Sequence, residues 1–187
     1  LDMGGFICSG AMVNNVRQDL TPYFLTAWHC VDGDNPSTFR FYFQKEASSC
    51  ENTWSSLGPY AYSSDLLAES DGFDSDWALL LITDDIEEDW SVFYAGWDAT
   101  ENPPLISCGV HHPGGSGKKI NYDDDTAYGD WWDDPVQGEL THWKVTWDEG
   151  GSEGGSSGSP VFNDQFQIVG QLTGGAGDCG EAYPDLY

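Results

Sequence analysis

Three short strings carry residue types that can do chemistry together: Leu25-Thr26-Ala27-Trp28-His29-Cys30, Ser75-Asp76-Trp77-Ala78-Leu79-Leu80 and Gly155-Ser156-Ser157-Gly158-Ser159-Pro160. Read singly, each has a plainer explanation. A His after a strand is more often structural than basic, an Asp opening an apolar run is usually a cap or a solvated edge, and Gly-Ser-Ser-Gly is usually a loop. Read together, they supply in the order His, Asp, Ser the three groups of acyl transfer. These are a hydroxyl nucleophile, an imidazole to take its proton, and a buried carboxylate that fixes the imidazole tautomer and stabilises the imidazolium. Ser157, His29 and Asp76 would take those roles. The N–H groups of Gly155 and Ser157 would hold the developing oxyanion, because a glycine-rich turn can aim backbone donors at one point without a Cβ in the way.

Other clusters point less clearly to chemistry. Asp71, Asp74 and Asp76 have a spacing like part of a calcium loop, but the twelve-residue ligand pattern is absent. Asp123-Asp124-Asp125 and Asp133-Asp134 read as solvated loop acids, and His111 and His112 precede Pro113 with no third ligand nearby, so a structural role is expected of them. Neither a metal nor a cofactor is expected. Five cysteines, Cys8, Cys30, Cys50, Cys108 and Cys179, form no CxxC pair, which removes the main support for a zinc ribbon or a thioredoxin-type site. Disulfides in an oxidising compartment are the better reading, and the odd count requires a free thiol or a partner elsewhere. Leu1-Asp2-Met3-Gly4-Gly5 lacks the basic head and apolar core of a signal peptide, so a mature form or an excised domain of a secreted protein is expected.

The elements that would position these residues are short. Apolar runs separated by clusters of Gly, Pro, Asn and Asp recur at the spacing of an all-β protein, and no stretch of comparable length repeats apolar residues at helical spacing. Strands are expected over residues 7–13, 23–28, 38–44, 77–82, 105–111, 140–147, 161–162 and 166–172. Phe39, Phe41 and Phe43 alternate with Arg40 and Tyr42, which puts the three rings on one face. The Gly/Ser-rich segment 150–159 would be a plain linker, except that it runs straight into Pro160-Val161-Phe162. A boundary between two halves is expected near residues 101–105.

The chain has 187 residues and a formal charge of −26, from 32 Asp plus Glu against 6 Lys plus Arg. Six cations cannot build the basic stripe that replaces counterions on phosphates, so nucleic acid is not an expected partner. Anionic lipid would be repelled, and no apolar run reaches the roughly 18 residues of a membrane helix, so no membrane partner is expected. The acidity does not mark disorder, because 39% of residues are hydrophobic and nine are Trp. It reads instead as an acidic surface over a core, suited to salt or to cationic ligands.

Thr26-Ala27-Trp28-His29-Cys30, Asp76-Trp77-Ala78-Leu79-Leu80 and Gly155-Ser156-Ser157-Gly158-Ser159-Pro160 resemble the His, Asp and Ser signatures of chymotrypsin-like serine proteases. Further blocks narrow the resemblance to the bacterial lysyl endopeptidases. These are residues 8–15 and 23–30, Ala95-Gly96-Trp97-Asp98, His111-His112-Pro113, Lys118-Lys119-Ile120 and Gly170-Gln171-Leu172. The resemblance covers nearly the whole chain. It implies a secreted endopeptidase of two antiparallel Greek-key β-barrels with the active site in the cleft between them. Residues 1–100 would carry His29 and Asp76, and residues 101–187 would carry Ser157 and an acid-lined primary pocket.

The resemblance also implies a Cys8–Cys30 disulfide, which would contribute on the order of 3 kcal/mol by closing its loop. Cys50 and Cys179 match cysteines whose partners lie in an N-terminal extension absent here, and the chain stops where the family continues. A trimmed domain or a re-pairing among Cys50, Cys108 and Cys179 is therefore expected. Asp185 matches the pocket carboxylate, Glu153 an acidic residue upstream of the nucleophile, and Asp178 is a weaker third candidate. Thr173 departs from the family, which carries a His there; its hydroxyl would donate to Asp76. Gly174 and Gly175 would offer a backbone edge to a substrate strand. Trp28 would shield the triad or simply pack. Ser156 stands where trypsin-type enzymes carry an Asp that pairs with a freed N-terminus, so that switch is not expected.

The expected function is hydrolysis of polypeptides after a basic residue, Lys above Arg, by a monomer. The same triad with an acidic or small-residue preference, and a protease-fold module that binds without cutting, are the alternatives.

Overall fold

The computed structural model describes residues 1–49, 55–70, 75–132, 140–175 and 184–187. Its chain is all-β, with antiparallel strand pairing throughout the named sheets. In the first half, β1 (Ala11–Val13), β2 (Tyr23–Ala27), β5 (Ser64–Glu69) and β6 (Trp77–Ile82) form one sheet in the order β1-β2-β6-β5. β3 (Arg40–Tyr42) pairs with β4 (Tyr60–Tyr62). In the second half, β7 (Ser107–His111), β8 (Lys119–Asp123), β11 (Pro160–Phe162) and β12 (Ile168–Gln171) run in the order β12-β11-β7-β8. The last sheet is β13-β14-β10-β9, built from β9 (Tyr128–Asp130), β10 (His142–Thr146), β13 (Gly174–Gly175) and β14 (Pro184–Leu186).

Alternation along the strands explains the cores. In β6, Ala78, Leu80 and Ile82 point inward while Trp77, Leu79 and Leu81 are half-buried. Phe39 and Phe41 are fully buried, with Phe43 packed against the same core and Arg40 exposed. The Phe41 ring meets Phe24 edge-on at 4.9 Å, so β2 and β3 share one apolar cluster. A second cluster gathers Ala127, Val145, Trp147, Val161, Leu172 and Tyr187. Between them Val13, Ala95 and Ile168 form a small buried joint. There the segment after Tyr94 bridges in parallel to both halves, Ala95 to Val13 and Trp97 to Ile168. Removing one of the large buried rings, such as Phe41→Ala, would cost about 3–5 kcal/mol.

All eight expected strands contain a strand of the structure, shorter by a few residues in most cases. The strands not anticipated are β4, β5, β8, β9, β13 and β14. On β8 the inward side chains are Asn121 and Asp123, and on β14 the inward one is Asp185. Asp123 is thus a buried strand residue and not a solvated loop acid. Burial is the first reason its carboxyl is pushed up, with the Asp148, Asp125 and Asp124 charges adding to the same effect.

Candidate active site

β2 ends at Ala27, and the chain turns at once through a short 3-10 segment, Trp28–Cys30. Cys30 is buried and bonded to Cys8, so the turn that carries His29 is tied to the segment leading into β1. Closing a loop of 22 residues contributes about 3 kcal/mol in the chain-entropy model. Asp76 stands immediately before β6, which pairs with β2 and so brings it beside His29. Its carboxylate accepts from His29 N at 2.9 Å and lies 2.7 Å from His29 Nδ1. A carboxylate oxygen that accepts from the ring puts the proton on Nδ1 and leaves Nε2 as the acceptor of the neutral imidazole. Asp76 is 2% exposed and its φ of +47° is left-handed, a conformation that Asp tolerates better than most residues. Its carbonyl is held as well, by Trp28 N at 2.9 Å and by Gln171 Nε2 at 2.8 Å. The second donor comes from β12, across the joint between the halves.

The Ser157 loop enters β11 and is lodged against the end of β2. At Gly158, φ is +78°, and a Cβ there would stand 2.3 Å from Thr26 Oγ1 and 2.6 Å from Ala27 N. Only glycine lets the loop come this close, which sets Ser157 beside the stretch that leads into His29. Among the described residues Ser157 Oγ is not hydrogen-bonded to His29 Nε2. Such contacts are often long where no substrate has tightened them. The N–H groups of Gly155 and Ser157 likewise have no acceptor among the described residues. Uncommitted donors are what an oxyanion would need.

Ser156 Oγ is 2.7 Å from His111 Nδ1 and receives Glu153 N–H at 3.2 Å. His111 Nε2 lies 3.0 Å from Asn121 Oδ1, which also accepts from Gly151 N. Neutral hydrogen bonds thus hold the residue before Ser157, and the structural role expected of His111 has a specific form. Burial pushes the His111 imidazole down, against the pull of Asn121 and Glu153. His112 is pushed further, to about 4, again first by burial.

Asp185 is 2% exposed and accepts from Ser152 Oγ and from Trp147 Nε1, each at 2.7 Å. Both partners are neutral, and among the described residues no cation pairs with it. Burial pushes its carboxyl up, more than the two donors hold it down. A Cβ on Gly175 would fall 1.9 Å from Asp185 Oδ1, so glycine is required where β13 passes the carboxylate. Among the described residues β13 is the edge of its sheet and pairs on one side, with Leu186 and Asp185.

Glu153 is exposed, with Oε2 3.6 Å from where a Cβ of Gly114 would lie, and it makes no hydrogen bond to the Asp185 group. Thr173 is buried, but its hydroxyl lies 3.1 Å from His142 Nε2 and does not donate to Asp76. The reason is β10, which brings the buried His142 to Thr173 and within electrostatic reach of Asp76. Burial lowers the His142 imidazole, while the Asp76 and Asp130 charges raise it. Trp28 is half-buried.

Asp71, Asp74, Asp133, Asp134, Asp178, Cys50 and Cys179 lie outside the described residues. Cys108 is a free thiol. Cys8, His29 and Cys30 approach one another within 4.8 Å, but sulfurs joined in a disulfide offer no thiolate to a metal. Sequence reasoning missed Ser9, Trp147, Ser152, His142 and Gln171 as members of this site. Ser152 alone carried a signal, five residues before Ser157 in the same glycine-rich run.

The sequence profile of the lysyl endopeptidase C-terminal domain matches residues 1–187. Lysyl endopeptidase of Pseudomonas aeruginosa is 28% identical over 188 residues, which cover 96% of this chain and 39% of that protein. The chain therefore spans well under half the length of this curated relative. Among solved structures, an inactivated protease paralogue of the scabies mite superposes with a TM-score of 0.65 at 16% identity, covering 96% of this chain and 81% of that one. A thermostable serine protease from an extremophilic microorganism gives 0.62 at 16% identity, covering 97% and 83%. A Glu endopeptidase gives 0.61 at 16% identity, covering 100% and 81%. At such identities these structures establish the fold alone, which is that of the trypsin-like proteases.

Proposed function

Given that this chain belongs to the lysyl endopeptidase C-terminal domain family, we propose that it hydrolyses peptide bonds after a basic residue, Lys in preference to Arg, by a Ser-His-Asp mechanism. The observation that carries this reading is the buried Asp76 carboxylate gripping His29 Nδ1, beside a Ser157 loop whose Gly155 and Ser157 N–H groups are uncommitted. Ser157 Oγ attacks the scissile carbonyl as its proton passes to His29 Nε2, and Asp76 stabilises the imidazolium formed. The two N–H groups hold the oxyanion. His29 then protonates the leaving amine, which departs, and later takes a proton from the water that releases the acyl group. The Cys8–Cys30 disulfide fits a secreted protein working in an oxidising compartment.

Asp185 supports the basic preference. A buried carboxylate with only neutral partners gains most from an incoming ammonium, and it would repel an acidic side chain. The charge of −26 favours cationic substrates in the same direction. Ser157→Ala should abolish both lysyl-ester hydrolysis and covalent labelling by a fluorophosphonate while the fold is retained. Labelling that persists at full stoichiometry in the variant would remove Ser157 from the nucleophile's place.

A further inference from the structure

Ser9 is 2% exposed and makes four hydrogen bonds, two of them to the Ser157 loop. Its N–H donates to Ser157 O at 2.8 Å, and its hydroxyl donates to Gly155 O at 2.8 Å. The same hydroxyl accepts from His112 N at 3.0 Å, and its carbonyl accepts from Thr26 Oγ1 at 2.8 Å. Its chain neighbour Cys8 is bonded to Cys30, which adjoins His29. The two residues whose N–H groups the oxyanion would use are therefore the two whose carbonyls Ser9 holds.

We propose that Ser9 is a positioning residue for catalysis, whose hydroxyl fixes the Gly155 backbone so that the oxyanion donors stay aimed between substrate binding and acyl transfer. The inference rests on the Ser157 mechanism above. The physical need for such a group is local. Gly155 sits at φ +95°, and glycine has several backbone wells of similar energy open to it. Crowding from His112 O and the Gly114 and Gly115 N–H groups, 3.1–3.4 Å from where a Cβ would be, limits one side of the residue. The Ser9 hydroxyl holds its carbonyl. Without it, the peptide following Gly155 loses its only side-chain tether among the described residues.

An oxyanion is present in the transition state and not in the bound substrate, so loss of this aim lowers kcat and leaves KM nearly unchanged. Ser9→Ala should reduce kcat for a lysyl p-nitroanilide by about 10-fold, less than the full loss of an oxyanion donor. The rate of phosphonylation by a fluorophosphonate should fall in parallel, since its phosphoryl oxygen uses the same donors. The isosteric pair Ser9→Thr and Ser9→Val repeats the comparison at constant shape, with Thr retaining the wild-type kcat and Val losing it, should Ala prove unable to fold. A residue with only a structural role would lower the melting temperature of the Ala and Val variants without separating kcat from KM. That result, or equal kcat in Thr and Val, overturns the proposal. If the wild-type chain is labelled but cleaves no lysyl substrate, the basic preference fails while the labelling rates still test Ser9. If it is not labelled at all, both fall.

Discussion

At the scale of single residues, the pocket role proposed for Asp185 would set function against stability. Its carboxyl is buried and pushed up from the ordinary 3.8, first by desolvation. The unfolded chain gives up this proton at the ordinary value and the folded chain gives it up later. Between the two, the native state holds more protons, so stability falls as pH rises through that window. Asp185→Asn removes the charge and can keep both bonds, its carbonyl accepting from Trp147 and its amide donating to Ser152. The variant should therefore melt higher than wild type at pH 7, with the difference vanishing as pH falls below 3.8. It should lose roughly a hundredfold or more in kcat/KM on lysyl substrates. A lower melting temperature at pH 7 with unchanged lysyl hydrolysis would mean that Asp185 meets no substrate cation. His29, Asp76 and Ser157 stand out as candidates in the sequence because each sits in a recognisable string near a strand end. Ser9, His142 and Gln171 could not, since each acts through partners at least 17 residues away that only the fold brings close.

At the scale of elements, the first half holds His29 and Asp76, and β12 of the second half reaches across to grip Asp76 through Gln171. Gln171 Oε1 is buried without a partner among the described residues, which costs stability while Nε2 holds the Asp76 carbonyl. Gln171→Leu should thus change stability by less than about 1 kcal/mol, the lost bond being offset by removal of an unsatisfied oxygen. It should lower kcat several-fold, because among the described residues the Asp76 carbonyl would keep only the Trp28 N–H. Thermal melts beside steady-state kinetics check this, and a large loss of stability with unchanged kcat would contradict it. The elements themselves were legible wherever one face is apolar, as along Phe39, Phe41 and Phe43. They were hidden where the inward face is polar, as with Asn121 and Asp123 on β8 and Asp185 on β14, or where a register shift between Leu66 and Ala68 breaks the alternation of β5.

At the scale of the whole molecule, 32 acids against 6 cations repel one another over an otherwise ordinary trypsin-like core. Among the described residues few acids find a lysine or arginine: Lys118 pairs with Glu46 and Lys144 with Asp130. Screening shrinks the reach of each charge from about 30 Å at 0.01 M salt to about 3 Å at 1 M. Stability should rise across that range by about 1 kcal/mol or more, ~2–4 °C in Tm. A Tm that falls with sodium chloride would show that the acids are compensated in the folded chain. A Ser157 nucleophile served by a pocket for a cation can be tested in one step by digesting a denatured protein mixture and reading every new terminus by mass spectrometry. New C-termini should concentrate at Lys, with Arg a minor class and Ser157→Ala producing none. New C-termini at acidic or small residues, or wild-type cutting that survives in Ser157→Ala, would contradict it.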